Sequence, residues 1–116
     1  MQVTVTTSQQ DGVFVLVLGG DIDVATAFTV RDALDRVLAA GHRLIVLDLS
    51  DVRFIDSTGL GVMVGRLKAV RDLGGDLHLV CTSPRIIRVM SITGLDSVFV
   101  IHDSVNDAVG ALSGSE

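Results

Sequence analysis

The stretch that decides the fold spans residues 48–66, DLSDVRFIDSTGLGVMVGR. Its first residues predict the end of a buried strand, followed by a short loop and an abrupt helix start at Asp56-Ser57-Thr58. The apolar residues that come next recur at spacings of three and four, which is typical of an amphipathic helix with one buried face. They are Leu60, Met63, Val64, Leu67 and Val70. The stretch therefore predicts a strand, a loop and a helix that packs on the sheet.

Ser57 lies at the predicted start of this helix. A serine hydroxyl at that position can cap the helix by accepting a hydrogen bond from a backbone N–H, and serine is a common cap residue. The same helix end carries partial positive charge and free N–H groups, which also favour a phosphate. Ser57 therefore has two interpretations: an ordinary cap, which the pattern alone favours, or a cap that is also a phosphorylation switch.

Apolar runs on both sides of this stretch predict a mixed α/β sheet. Five runs have the length and composition of strands: residues 3–6, 13–18, 44–49, 77–81 and 98–101. Helical patterns cover residues 24–40, the segment from Ser57 to Gly74-Gly75, a short segment after Pro84 and a last one after Ser104. A turn at residues 10–12 makes the first two strands an antiparallel hairpin, whereas strand–helix–strand units favour parallel neighbours. The order predicts about five strands, largely parallel after that hairpin, packed by about four helices.

The connection between the second strand and the first long helix is also predicted. Gly19-Gly20 is expected to end the strand, and Asp23 is expected to cap the helix, which would bury Phe28 on its apolar side. In such sheets, functional loops gather outside the carboxyl ends of parallel strands. We therefore expect Asp21, Asp23, Asp56 and Ser57 to share one edge of the molecule.

Composition limits the function classes. The 116 residues are enough for one domain with a real core, and apolar residues make up 48% of them. The formal net charge is −5, the nine basic residues are scattered, and the chain contains no Trp or Tyr, which disfavours nucleic-acid binding. Apolar runs are too short to cross a bilayer, the start does not resemble a signal peptide, and Cys81 has no partner for an internal disulfide. These features predict a cytoplasmic protein that meets other proteins, without a membrane or nucleic-acid partner.

Catalytic, metal and cofactor sites are not predicted. The three histidines, at positions 42, 78 and 102, are distant from Ser57 in sequence, and the chain lacks the G-x-S-x-G motif of a nucleophile elbow. Paired aspartates occur, but without EF-hand spacing or a Cys/His cluster. Gly59, Gly61 and Gly65 differ from a dinucleotide fingerprint in spacing and in position after the strand. We interpret Gly61 and Gly65 as small residues that let the helix lie close to the sheet.

Residues 48–66 resemble the signature of bacterial anti-sigma factor antagonists, the single-domain members of the STAS group. In that signature D-S-[ST]-G-L-G is followed by V-x-x-x-R, as it is here. The similarity extends to GDID with Thr26-Ala27 (residues 20–23 and 26–27), to GGDLHLV (residues 74–80) and to ITGLDSVF (residues 92–99). It covers nearly the whole chain, and it implies one STAS domain over residues 1–112, with a frayed tail at 113–116.

The resemblance implies a partner-switching role rather than an enzyme. An unphosphorylated antagonist binds an anti-sigma factor, which is also a serine kinase of the histidine-kinase-like ATPase fold, and thereby frees a sigma factor. The kinase then phosphorylates the residue matching Ser57, and a PP2C-type phosphatase restores the binding form. Asp56 and Asp23 match acids of the kinase-facing surface, with Asp21, Thr58 and Gly59 at its rim. The alternative is a STAS module that acts as a scaffold and does not switch.

Overall fold

Five strands form one sheet in the order in which they occur along the chain. The computed structural model describes residues 2–114. The strands are β1 (Val3–Gln10), β2 (Val13–Ile22), β3 (Leu44–Ile55), β4 (Asp76–Val80) and β5 (Ile101–His102). β1 pairs with β2 in antiparallel register, and the other three pairs are parallel. The predicted mixed sheet with an antiparallel first hairpin is confirmed.

Four α-helices cover the two faces of the sheet within residues 2–114. They are α1 (Ala27–Ala39), α2 (Ser57–Asp72), α3 (Pro84–Ile92) and α4 (Val105–Leu112), and a short 3₁₀ helix spans Leu95–Ser97. The larger core contains buried residues of α1, α2 and α3, and the smaller core contains those of α4. β2 supplies both cores, because Leu16 and Leu18 face the first and Val13 and Val15 face the second. The strand period of two thus explains why this run is apolar on both faces.

Three strands extend further than their patterns predict, and the first of them, β1, continues to Gln10 instead of ending near residue 6. β2 continues to Ile22, although Gly19-Gly20 was expected to end it, and β3 continues to Ile55 instead of ending near residue 49. The pairing shifts register between Val17 and Gly19 and again between Gly20 and Asp21. Gly20 has φ +86°, and a Cβ there would lie 2.2 Å from the backbone oxygen of Gln2. The glycines therefore mark irregularities inside the strand, not its end.

The predicted fifth strand is displaced along the chain. Residues 98–101 were expected to form it, but β5 contains only Ile101 and His102. The backbone N–H groups of Val98 and Phe99 both donate to the carbonyl oxygen of Leu95, which holds these residues in a turn after the 3₁₀ helix. Phe99 is 4% exposed and packs in the larger core. Because Phe99 is buried although it lies in a turn, the apolar residues 98–101 have the sequence pattern of a buried strand.

The C-terminal helix ends in an ordered turn. Ser104 caps its start as predicted, by accepting a hydrogen bond from the N–H of Asp107 at 3.1 Å. The N–H of Ser113 donates to the carbonyl oxygen of Val109 at 2.8 Å, so the first residue of the predicted tail 113–116 still belongs to the helix cap. Residues 115 and 116 lie outside the described residues.

Candidate partner-binding site

Asp56, rather than Ser57, caps helix α2. Its Oδ1 accepts a hydrogen bond from the N–H of Gly59 at 3.0 Å, and its carbonyl oxygen accepts from the N–H of Leu60 at 2.9 Å. The N–H of Asp56 donates to the carbonyl oxygen of Ile22 at 3.1 Å and so ties the cap to the end of β2. The expectation that Ser57 is the cap was wrong by one residue. Aspartate caps as well as serine does, and its charge adds a favourable interaction with the helix dipole.

Ser57 is the first residue of α2, and its hydroxyl has no role in the cap. Ser57 and Thr58 are both exposed, whereas Asp56 is partly buried. A hydroxyl that is exposed and structurally unused can be modified without removing the bond that starts the helix. The two interpretations of Ser57 are thereby separated, because the cap belongs to its neighbour.

Gly59 is the residue that lets α2 approach the sheet. A Cβ at this buried position would lie 2.8 Å from both the carbonyl oxygen and Cγ2 of Ile22, and 2.9 Å from Cγ1 of Ile55. The interpretation of Gly61 and Gly65 as close-packing residues was wrong, because a Cβ at either would meet nothing within 4 Å. The first turn of α2 therefore rests on the carboxyl ends of β2 and β3, which fixes the position of Ser57.

Asp23 closes the turn that leads into α1, which we call the 23–26 turn. Its Oδ1 accepts hydrogen bonds from the N–H of Ala25 at 2.9 Å and from the N–H of Thr26 at 3.2 Å. The predicted cap is again displaced, since α1 begins at Ala27 and Thr26 is its N-cap residue. An aspartate that bonds the backbone two and three residues ahead forms a turn of its own before the helix begins.

Thr26 is a structural residue that sequence reasoning missed. It is 7% exposed, and its hydroxyl donates to the carbonyl oxygen of Asp21 at 2.7 Å while accepting from the N–H of Asp23 at 2.9 Å. The signal in the sequence was the D-x-x-T spacing, in which a threonine follows an aspartate by three residues. Thr26 and Asp23 together hold the 23–26 turn against the end of β2.

Asp21 lies beneath the surface instead of on it. It is 6% exposed, and its Oδ2 is 3.6 Å from a guanidinium nitrogen of Arg53, whose side chain is 75% exposed. Arg53 was not singled out from the sequence, since it lies beyond the predicted end of its strand. A partner that approaches this edge would reach Arg53 before it reached the Asp21 carboxylate.

Three large apolar side chains are exposed on segments that follow or end the strands β2 and β3, on whose carboxyl ends the first turn of α2 rests. Val24 is 76% exposed, Phe28 is 54% exposed and Phe54 is 43% exposed. They lie in the 23–26 turn, the first turn of α1 and the end of β3. The prediction that Phe28 is buried was therefore wrong. We use the name Ser57 surface for the edge formed by Asp23, Val24, Phe28, Phe54, Asp56 and Ser57. Its mixture of acidic, hydroxyl and apolar groups is suited to binding another protein.

Within residues 2–114, no group of three or more His, Cys, Asp or Glu residues could hold a metal ion. No helix in that range is long and apolar enough to cross a membrane. Two of the histidines, His78 and His102, pair with each other on β4 and β5, and His42 packs against Phe14 with ring centroids 4.5 Å apart.

Comparisons with known proteins agree with this architecture. The model of the STAS domain family matches residues 4–108. The chain is 34% identical over 103 residues to the anti-sigma-B factor antagonist of Staphylococcus aureus, which covers 89% of this chain and 95% of that protein. It resembles the crystal structure of an anti-sigma factor antagonist from Mycobacterium paratuberculosis with a TM-score of 0.86 and 31% identity, over 95% of this chain and 93% of the other.

A more distant structural neighbour shares the fold. The structure of the Bacillus cell fate determinant SpoIIAA in its phosphorylated form aligns with a TM-score of 0.71 and 20% identity, over 93% of this chain and 98% of that chain.

Proposed function

We infer that this chain, which belongs to the STAS family and to its anti-sigma factor antagonists, works by partner switching in the cytoplasm. Its unphosphorylated form binds an anti-sigma factor that is also a serine kinase of the histidine-kinase-like ATPase fold, and so frees a sigma factor. The kinase phosphorylates Ser57 and is thereby released. A PP2C-type phosphatase then restores the binding form, and the chain itself catalyses no reaction.

The observation that carries this proposal is the separation of Ser57 from the helix cap. Asp56 accepts the N–H of Gly59, and Ser57 stands exposed beside it as the first residue of α2. A kinase can therefore reach the hydroxyl while α2 stays folded. A phosphate at this position would also lie at the positive end of the helix, which tolerates an anion.

Release follows from charge. A phosphate on Ser57 adds about −1.5 to −2 charges beside the Asp56 and Asp23 carboxylates. If the kinase directs the phosphates of its nucleotide at Ser57, the new phosphate meets like charge in a partly desolvated interface. Such a juxtaposition costs several kcal/mol, which is enough to reverse binding.

Affinity of the unphosphorylated form would come from the apolar members of the Ser57 surface. Phe28, Phe54 and Val24 are large and exposed. Aromatic side chains that become buried on binding carry much of the energy of protein interfaces. Asp23, Asp56, Thr58 and the backbone of Gly59 would form the polar part. Asp21 would contribute through Arg53, its ion-pair partner.

The test is intact mass after incubation with ATP and the candidate anti-sigma kinases of the same cell. We expect the wild type to gain one phosphate and the Ser57→Ala variant to gain none. Since Thr58 is an adjacent hydroxyl, the Thr58→Ala variant is the matched control and should still gain one. A phosphate that persists in Ser57→Ala and disappears in Thr58→Ala would refute the assignment. Binding to a kinase without any phosphate gain would leave a STAS module that does not switch.

A further inference from the structure

Two imidazole rings meet at the edge of the sheet, on the neighbouring strands β4 and β5. His78 Nδ1 and His102 Nε2 are 2.9 Å apart, the ring centroids are 5.1 Å apart, and the ring planes differ by 23°. The centroid separation exceeds the N···N distance by about two ring radii. The rings therefore lie edge to edge with the two nitrogens facing each other, instead of stacking. This is the geometry of a hydrogen bond, which needs one proton between the nitrogens.

Asp76 determines which nitrogen of His78 carries a proton. Asp76 Oδ1 accepts hydrogen bonds from the N–H of Leu77 at 2.9 Å and from Nε of Arg71 at 3.1 Å. Asp76 Oδ2 faces His78 Nε2 at 3.3 Å. Because an ionised carboxylate can only accept, Nε2 of His78 is the protonated nitrogen. In the neutral ring Nδ1 is then an acceptor, and His102 Nε2 is the donor to it.

The environment of His78 disfavours a positive charge on its ring. The residue is 8% exposed, and α4 covers this face of the sheet with Ala108, Val109 and Leu112, all buried. Burial lowers the pKa of His78, the nearby Asp76 opposes that effect, and the charges of His102 and Arg71 lower the pKa further. Burial acts to raise the pKa of Asp76, but its hydrogen bonds to Leu77 and Arg71 keep that pKa below the usual value.

Other charged groups on the neighbouring elements are already engaged or exposed. On β3, Val46 pairs with His78, and Asp48 pairs with Val80, which in turn pairs with His102 on β5. Asp48 Oδ1 accepts from the N–H and the hydroxyl of Ser50, at 2.9 and 2.6 Å. Asp103 and Asp107, before and within α4, are both exposed. Asp76 is therefore the carboxylate that bonds His78 directly.

We propose that the Asp76–His78–His102 chain is an acid-sensitive clamp that holds β5 on β4 and opens when His78 takes up a proton at Nδ1. While His102 carries its proton at Nε2, a proton on His78 Nδ1 replaces the acceptor by a donor. Two N–H groups then face each other, and the bond between the rings is lost.

Acid should therefore loosen β5. β5 contains only two residues, so the side-chain bond adds to a short backbone pairing with β4. The pKa of His78 is lowered by folding, so its contribution to stability is present above the unfolded value of about 6.5 and is lost as pH falls through the folded value. Asp76 loses its charge only at lower pH, because its pKa lies below the ordinary carboxylate value. The clamp opens before the carboxylate is neutralised.

Two backbone amides report directly on β5. The N–H of Leu79 donates to the carbonyl oxygen of Val100, and the N–H of Cys81 donates to that of His102. Amide hydrogen exchange, expressed as protection factors, should be measured from about pH 8 to about pH 5, where histidine titrates. We expect the protection of these two amides to fall by at least about tenfold, since one linked proton gives up to about tenfold per pH unit. Amides between β2 and β3 should change little.

The matched variants are His102→Gln and His42→Gln. The first places an amide opposite His78 Nδ1, and this amide can donate to the neutral ring through its N–H or accept from the protonated ring through its oxygen, so the acid loss of protection should disappear. The second removes the histidine outside the pair and should behave as wild type. Nitrogen-15 shifts of the wild type at high pH provide a test that needs no variant: His78 should be protonated at Nε2. A flat wild-type profile, an unchanged acid loss in His102→Gln, or a proton on His78 Nδ1 would each overturn the proposal.

Discussion

The cap of α2 gives the sharpest test of the site, through Asp56→Ala compared with Ser57→Ala. Asp56→Ala removes the acceptor for the N–H of Gly59, bonded at 3.0 Å. Loss of an N-cap side chain costs about 0.5–2 kcal/mol, and this cap is a partly buried carboxylate at a helix N-terminus, which places it toward the upper end. We expect a loss of about 1.5 kcal/mol in the free energy of unfolding, or roughly 5 °C in Tm. Ser57→Ala should change it by less than about 0.5 kcal/mol.

The measurement is urea unfolding followed by circular dichroism, with equal slopes required so that midpoints report stability. Asp56→Asn keeps the acceptor and loses the charge, so it should cost only about 0.3–1 kcal/mol. Ser104→Ala removes the side-chain cap of α4, which accepts from Asp107 at 3.1 Å, and it calibrates the size of a cap in this protein. If Ser57→Ala destabilised the protein as much as Asp56→Ala, the separation of the cap from the proposed phosphorylation site would be refuted. The absence of phosphate in Ser57→Ala could then result from lost stability instead of from the missing hydroxyl.

Three further outcomes follow from the same surface. Ser57→Asp should keep the helix content measured by circular dichroism yet weaken kinase binding at least about tenfold by calorimetry, since charge and not unfolding causes release; loss of helix would contradict this. Phe54→Ala should cost about 1–2 kcal/mol of binding, whereas Ile92→Ala, which is 74% exposed on α3, should leave affinity unchanged; equal losses would remove Phe54 from the interface. Gly59→Ala should cost about 1–3 kcal/mol of stability by thermal unfolding, because its Cβ would press on β2, whereas Gly61→Ala should be neutral or stabilising. Equal effects of the two alanines would refute the close approach.

The order of strands and helices along the chain could be predicted because it depends on local patterns, whereas the order of the strands within the sheet was not predicted. Alternating and apolar runs, separated by turn residues and helical periods, give the hairpin and the crossovers without any knowledge of packing. Strand length could not be predicted at residues 19–22. Whether Gly20 ends a strand or continues it depends on its contact with the backbone of Gln2, eighteen positions away along the chain, and on the register shifts that β3 permits.

The exposure of Phe28, unlike the length of the strands, could have been predicted from the sequence. The buried residues of α1 are Ala27, Val30, Leu34, Val37 and Leu38. Phe28 stands four and seven positions before Asp32 and Asp35, so helix geometry places it on their side. Its assignment to the apolar side together with Leu34, Val37 and Leu38 overlooked this spacing. Its exposure beside Asp23 is therefore a departure from the usual preference of Phe for burial, which is how an interface residue stands out.

The feature that the sequence concealed is also the one that builds the site. Extension of β2 to Ile22 and of β3 to Ile55 carries both strands past the point where their apolar patterns weaken. Ile22 then accepts the N–H of Asp56 and supports Gly59, so that both the cap and the first turn of α2 rest on the extended strand ends. Because these anchors involve backbone and buried atoms, Ser57 is held in place without using its own hydroxyl. The proposed switch at Ser57 needs this arrangement, since phosphorylation must change what a partner meets while the fold that presents Ser57 stays the same.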